Sequence, residues 1–368
     1  MPGSTYTSVG FQLQNLGHIM LQEVRFATFN VLNLAPPGVP FYADQEPHTQ
    51  EQYDAKVSWL AQQLDQLDAD VIGFQEIFSQ ACLREVLART SKYRDAQHVG
   101  FDPDGQTDLT ASVQAGTLTP SVALVSRLPL AGPPASYSKM PHGLAVVLPG
   151  IETPVTTFTR PILHVQLLVG SGEPVIAGRP APRTQAIDVL VCHLKSKRPD
   201  YRNGGPGDTD SYQLGLAMLR SMIRRGAEAL GLRYLVSDQL RRQRRPLVVM
   251  GDFNDVAAAM TTQLVTGATS ERRILREGPT DRLFDAYRIQ SRVRPLRDVG
   301  FTHAHDGTME TIDHILLSDA FEPGVPGAVG EVLEVIYIND HLGLRQPEAS
   351  DHGIVLARVL FYGSTPVG

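Results

Sequence analysis

Seven short apolar runs, each ending in or carrying a polar side chain, punctuate the chain: residues 23–30 (EVRFATFN), 69–76 (ADVIGFQE), 121–126 (SVALVS), 187–193 (IDVLVCH), 247–254 (LVVMGDFN), 311–318 (TIDHILLS) and 351–360 (DHGIVLARVL). Their length and β-branched content predict strands buried on at least one face. Helical spacings lie between them. Thr49 with Gln52 forms a capping box ahead of Val57, Leu60, Leu64 and Leu67, which recur at three and four residues. Asp210 with Gln213 opens a second, long helix through Leu214, Met218, Leu230 and Leu235, weakened at Gly215, Gly226 and Gly231.

Pro- and Gly-rich stretches at 36–40, 132–134, 170–182, 203–207 and 322–330 read as surface loops, and none has the composition of a flexible interdomain linker. The expectation is one domain over residues 23–362, preceded by an N-terminal extension at 1–22. Helices would lie on the outer faces of the sheets.

Composition narrows the class. A chain of 368 residues with 42% hydrophobic content and a net charge of −6 is a soluble globular protein and no generic polyanion binder. Charge is uneven, however: between His193 and Arg245 there are twelve Lys/Arg against five Asp/Glu. Such a stretch either steers an anionic substrate or forms a solvated helix face. Cys82 and Cys192 are too few for a disulfide framework and lack zinc-site spacing, so both are expected to be buried thiols. The first residues lack the basic start and apolar run of a secretory signal, and no apolar run is long enough to span a membrane, which leads to a cytoplasmic expectation.

Singly, the polar residues at the strand ends have ordinary explanations. Asn30 suits a turn, Glu76 a first solvated position, His193 a hydrogen-bonded edge, and Asp351 a turn before the last strand. Asp313 is harder to dismiss, because a carboxylate between Ile312 and Ile315 needs a partner. Five apolar strands ending in carboxylate, amide or imidazole would converge on one rim if the sheets pack together. That rim would offer oxygen donors for a hard cation and ionisable groups for proton transfer, the set that phosphoryl hydrolysis requires.

In order along the chain, Thr28-Phe29-Asn30, Gly73-Phe74-Gln75-Glu76, His193-Leu194, Gly251-Asp252-Phe253-Asn254, Ile312-Asp313-His314-Ile315-Leu316 and Ser350-Asp351-His352 resemble the motif series of the endonuclease/exonuclease/phosphatase superfamily. The resemblance covers residues 24–360. It implies an α/β, four-layered sandwich, two packed and mostly antiparallel β-sheets flanked by helices. It also implies that Glu76 is the principal Mg²⁺ ligand (Mn²⁺ substituting), assisted by Asn30 and with Asp351 on the metal side. Asp252 and Asn254 would position water and scissile phosphate. His352, oriented by Asp313, would be base or phosphate contact, and His193 would protonate or stabilise the leaving oxygen.

Two departures stand out. The stretch Ser121–Ser126 offers no acidic residue to orient His193, and His314 stands where many relatives carry Tyr. Substrate choice rests on His193-Leu194-Lys195-Ser196-Lys197-Arg198, which resembles the motif of bacterial nuclease-like members. Strand alternation would put Lys195 and Lys197 beside the imidazole, facing backbone phosphates. The expected function is therefore a metal-dependent phosphodiesterase acting on DNA or RNA. The runner-up is a phosphatase or phosphodiesterase on a small molecule or lipid headgroup, such as an inositol phosphate or sphingomyelin. A third possibility, a catalytically silent binding module, sits poorly with the complete set of acids, amides and imidazoles. No protein partner is implied.

Overall fold

The computed structural model describes residues 21–42, 45–103, 118–170, 184–201, 210–267, 280–291, 300–322, 325, 327–344 and 346–362. The N-terminal extension up to residue 20, the loop at 203–207, most of 170–182 and Arg202 of the basic stretch lie outside the described residues. All seven predicted strands form, with others between them. In chain order the strands are β1 (Leu21–Leu34), β2 (Val71–Ile77), β3 (Gln97–Gly100), β4 (Ser121–Ser126), β5 (Ala135–Lys139), β6 (Thr157–Val169) and β7 (Gln185–His193). They continue with β8 (Leu247–Asp252), β9 (Leu283–Asp285), β10 (His303–His305), β11 (Thr308–Glu310), β12 (Asp313–Ser318), β13 (Gly330–Ile338) and β14 (Ile354–Tyr362).

Two six-stranded sheets result, ordered β13-β14-β1-β2-β4-β3 and β5-β6-β7-β8-β12-β9. Only β1–β2 and β7–β8 pair in parallel; the remaining pairs in both sheets are antiparallel. Alternation within the strands sorts the core. Val24 and Phe26 of β1, with Val189 and Val191 of β7 and Val248 and Met250 of β8, fill the space between the sheets. Ala27 and Phe29 point the other way, under helices α1 (Gln50–Leu67) and α2 (Gln80–Arg89). Leu190, Cys192 and Val249 face α3 (Ser211–Gln243) and α4 (Met260–Thr266). Helix, sheet, sheet, helix are the four layers.

The capping box at Thr49 and Gln52 forms, and Val57, Leu60, Leu64 and Leu67 are all buried. Asp210 caps α3 by accepting from the Gln213 N–H at 2.8 Å, and the helix runs through its three glycines. Of the apolar residues that mark α3 in the sequence, Leu235 packs on the core but Leu214, Met218 and Leu230 are exposed, while Arg220, Arg225 and Glu228 are buried. Within the basic stretch Lys197, Arg198, Arg241, Arg242 and Arg244 are exposed, as a solvated face requires, whereas Arg220 and Arg225 are internal. Arg220 donates to the Pro149 and Asp200 carbonyls, and Arg225 binds Asp255 and the Lys195 carbonyl. Both cysteines are free and buried. No helix among the described residues is long and apolar enough to cross a membrane.

Candidate active site

Strand register assembles the centre. His193 ends β7 opposite Asp252, which ends β8, and Asp252 lies opposite Asp313, which begins β12. Three neighbouring strands therefore set imidazole, carboxylate and carboxylate in one row. All three side chains take the inter-sheet face, the face of Val191, Met250 and Ile315. Asn30, on the same face of β1, closes the row from the other sheet. Its Nδ2 donates to Asp252 Oδ2 at 3.1 Å and Glu76 Oε1 at 3.3 Å, and lies 3.4 Å from His352 Nε2.

Glu76 reaches this rim only by breaking alternation. A regular β2 would send it to the side of Ile72 and Phe74, under the helices. Instead it sits at φ 63°, where the ladder shifts register, and its Oε2 accepts the Asn33 N–H at 3.0 Å. Leu32, Asn33 and Asn254 also take left-handed conformations, at φ 55°, 54° and 53°. Four such non-glycine residues around one centre mark a backbone held against its preference by its surroundings.

Asn254 follows the same pattern. Strict alternation through 252–254 would put its amide beside Asp252, but β8 ends at Asp252. The turn sends Asn254 Nδ2 to the Leu194 carbonyl at 3.0 Å, while its N–H donates to Asp252 Oδ1 at 2.7 Å. Phe253 is buried under α3. Gly251, at φ 151°, is obligatory because a Cβ there would overlap the Cys192 carbonyl. Asp255, next in the turn, pairs with Arg225 at 3.0 Å, and Ala259 caps α4 without a side-chain bond.

The two imidazoles differ sharply. His352 Nδ1 is 2.8 Å from Asp313 Oδ2. Burial alone would lower its pKa, but the Asp313 carboxylate, aided by Asp252 and Asp351, holds it well above the ordinary value. Burial, with Arg160 and the charge of His352 adding, holds His193 well below. His193 Nε2 is 3.4 Å from Asp252 Oδ2, and its Nδ1 is buried with no hydrogen-bond partner. Burial, with the Asp313 charge beside it, raises the Asp252 carboxyl. His314 lies away from the row: its Nδ1 meets Asp285 Oδ2 at 3.1 Å and its ring packs edge-on to Phe253.

Neither predicted lysine extends the β7 alternation, because the strand ends at His193. Lys195 Nζ turns back onto the Ser196 and Arg198 carbonyls at 3.2 and 3.0 Å, and its pKa is lowered to about 8, chiefly by burial and then by Arg160. Lys197 pairs with Glu310 of the β10–β11 hairpin at 2.8 Å.

Two cations escaped the sequence reading. Arg160 on β6 is only 7% exposed, meets the Tyr42 hydroxyl, and leaves Nε and Nη1 without partners beside His193. Lys56, on the buried face of α1, feels the charges of Glu76 and Asp351, and burial lowers its pKa to about 8. The available signal was the same for both: a cation inside an otherwise apolar face needs a reason.

For a divalent cation the donors fit. Glu76 and Asp351 are hard oxygen ligands, Asp351 is half-exposed with Oδ1 4.0 Å from His352 Nε2, and Asp313 keeps a buried Oδ1 without partner. Asp252, Asp313 and His352 bring ligand atoms within 4.8 Å of one another, as do His303, Asp351 and His352.

Residues 27–352 match the family model described as the Endonuclease/Exonuclease/phosphatase family. No curated protein sequence matches the chain. Among solved structures, an endonuclease/exonuclease/phosphatase from Bacteroides vulgatus superimposes with a TM-score of 0.54 at 17% identity, covering 92% of this chain and 98% of that one. A family protein from Bacteroides thetaiotaomicron gives 0.51 at 16% identity, with 93% and 99% covered. A mannosyl-6-phosphatase of Bacteroides thetaiotaomicron gives 0.50 at 15%, with 92% and 100% covered. At these identities the likeness is one of fold.

Proposed function

The chain belongs to the endonuclease/exonuclease/phosphatase family of divalent-metal-dependent phosphoric ester hydrolases, and from that premise we propose that it is a Mg²⁺-dependent phosphodiesterase acting on nucleic acid. The observation that carries the reading is the row His193, Asp252, Asp313, closed by Asn30 and His352.

Glu76 and Asp351, with Asn30 beside them, would hold the cation, which supplies charge neutralisation for phosphate oxygens. Asp252, held by the Asn30 amide and the Asn254 N–H, orients the attacking water and accepts its proton as the new P–O bond forms. In line with it, the bond to the leaving oxygen breaks. His352, kept cationic by Asp313, lies against the phosphate oxygens as a fixed positive donor. His193, kept neutral, hydrogen-bonds the departing oxygen from Nε2 without giving up a full proton, and solvent completes the protonation. Arg160, with two free buried donors beside His193, is a better placed phosphate contact than Lys195 or Lys197, whose ammonium groups are already engaged.

The same arginine supports the runner-up. Arg160 and Tyr42, with Arg198 stacked 5.9 Å over the Tyr42 ring, form a compact cationic corner suited to a single phosphate on a small molecule. The deciding measurement is Mg²⁺-supported hydrolysis of a bis-aryl phosphodiester, single- and double-stranded DNA, RNA, an inositol phosphate, a sugar phosphate and sphingomyelin. Nucleic acid and the diester should turn over, and chelation should abolish it. Preference for a phosphomonoester with intact nucleic acid would install the runner-up, and activity untouched by chelation would remove the metal from the proposal.

A further inference from the structure

The β10–β11 hairpin brings a third imidazole to the rim. His303 of β10 forms an isolated antiparallel bridge with His352, and the Gly353 N–H donates to the Thr302 carbonyl at 2.6 Å, so backbone pairing sets the two histidines side by side. Their rings lie 5.1 Å apart, inclined at 46°. His303 is half-buried, and among the described residues no hydrogen bond engages either of its ring nitrogens. The proposed reaction makes no use of it.

A ring that served only to cover His352 would need no nitrogen. What the nitrogen adds is a donor atom. His303, Asp351 and His352 each bring one ligand atom within 4.8 Å of the others, and Asp351 Oδ1 is 4.0 Å from His352 Nε2. Donors on a tetrahedral cation stand about 2.0–2.2 Å from it, hence roughly 3.3–3.6 Å from one another. Asp351, its side chain 53% exposed, can close that difference by rotating. His352 is already oriented as a ligand would be. Its Nδ1 is held by Asp313 Oδ2 at 2.8 Å, the carboxylate–histidine arrangement that fixes the ring and leaves Nε2 to a metal.

We propose that His303, Asp351 and His352 form a site for Zn²⁺, distinct from the Mg²⁺ position, and that its occupancy inhibits the enzyme. Two imidazole nitrogens and a carboxylate, with solvent in the fourth position, are a donor set for Zn²⁺; Mg²⁺ prefers oxygen throughout, as Glu76 and Asp351 provide. On binding, a bond forms between Zn²⁺ and His352 Nε2, and the proton that this nitrogen carried passes to solvent. His352 then has no N–H to give a phosphate oxygen. The inhibition rests on the role given to His352 above, whereas the site rests on the three side chains alone. A second grouping of donors on the rim, Asp252, Asp313 and His352, carries one nitrogen and would be indifferent to His303.

The test uses the full chain freed of metal by chelation and dialysis. Co²⁺ should give the visible absorption of a four-coordinate site with nitrogen and oxygen donors, and one equivalent of Zn²⁺ should bleach it. His303→Phe keeps the ring and loses the nitrogen. This variant is expected to bind Co²⁺ about tenfold or more weakly and to need about tenfold or more Zn²⁺ for half-inhibition, while Mg²⁺-supported hydrolysis stays near wild type. X-ray absorption at the zinc edge of the wild type, which needs no variant, should show two imidazoles on the metal.

A zinc shell with fewer than two imidazoles overturns the proposal. So do Co²⁺ bands that persist unchanged in His303→Phe or equal Zn²⁺ inhibition of both proteins, either of which would put the metal on Asp252 and Asp313. Loss of Mg²⁺-supported hydrolysis in His303→Phe overturns it as well, by making His303 part of the reaction. Should no phosphoester be hydrolysed, the reading of the reaction falls, and the two spectroscopic measurements still decide the site.

Discussion

His352 and His193 face the same opening across Asp252, at 3.9 and 3.4 Å from its Oδ2, yet their surroundings drive them to opposite charge states. Around His352 the partner is ideal: Asp313 on Nδ1 at 2.8 Å, two further carboxylates nearby, and a pKa held up despite complete burial. Around His193 there is burial without compensation, an unpartnered Nδ1 and the cation of Arg160. Burial lowers both imidazoles, and only His352 has a carboxylate on its second nitrogen to reverse the shift. A histidine's chemistry here is a property of the neighbouring strand, because desolvation is common to both and only the paired carboxylate distinguishes them.

Removing His352, or the Asp252 that both imidazoles share, should do most damage. His352→Ala and Asp252→Ala are each expected to lower kcat on a phosphodiester by about two orders of magnitude or more, as loss of a positioned proton-transfer or charge-stabilising group does. A near-normal rate for His352→Ala would erase the distinction.

Next in size is Asp313→Asn, with an expected loss of about ten- to a hundredfold. Its sharper readout is the pH profile. With the carboxylate gone, the His352 pKa falls, so the alkaline limb, where the imidazolium is lost, should move to lower pH. A limb that stays in place would mean that another group governs it.

The weaker half is probed by His193→Gln. With an alkyl leaving group, as in DNA or RNA, a roughly tenfold or greater loss is expected; with p-nitrophenolate, a good leaving group, almost none. Equal losses on both would return His193 to a general structural role. Arg160→Met should chiefly raise KM for substrates bearing a flanking phosphate and flatten their salt dependence.

Smallest of all is a stability difference. A histidine whose folded pKa is depressed must give up its proton to fold. Wild type therefore loses stability as pH falls below the unfolded value of about 6.5, with a slope approaching 1.4 kcal/mol per pH unit. His352, with its pKa raised, contributes stability that is complete below its unfolded value and is lost only as pH rises through the folded one. Metal-free His193→Gln should accordingly melt with a flatter acid side than wild type, and identical acid limbs would show that His193 is not held neutral.

Much of this was legible in the chain. Strands carrying Asn30, His193, Asp252 and Asp313 and the caps at Thr49 and Asp210 are local or periodic features. Period two and period 3.6 are imposed by covalent geometry, so they can be read from residue order alone. What tertiary structure decided lies where that periodicity breaks or where partners come from afar. Glu76 enters the rim through a left-handed residue at a register shift, and Asn254 leaves its expected face in a turn. Lys195 and Lys197 spend their charges on carbonyls and on Glu310, and Arg160 and Lys56 are buried cations whose roles no local pattern announces. The sequence by itself determined which groups were available and which strands carried them. Only packing two sheets face to face set their distances and protonation states, because desolvation and Coulomb energies depend on neighbours hundreds of residues away.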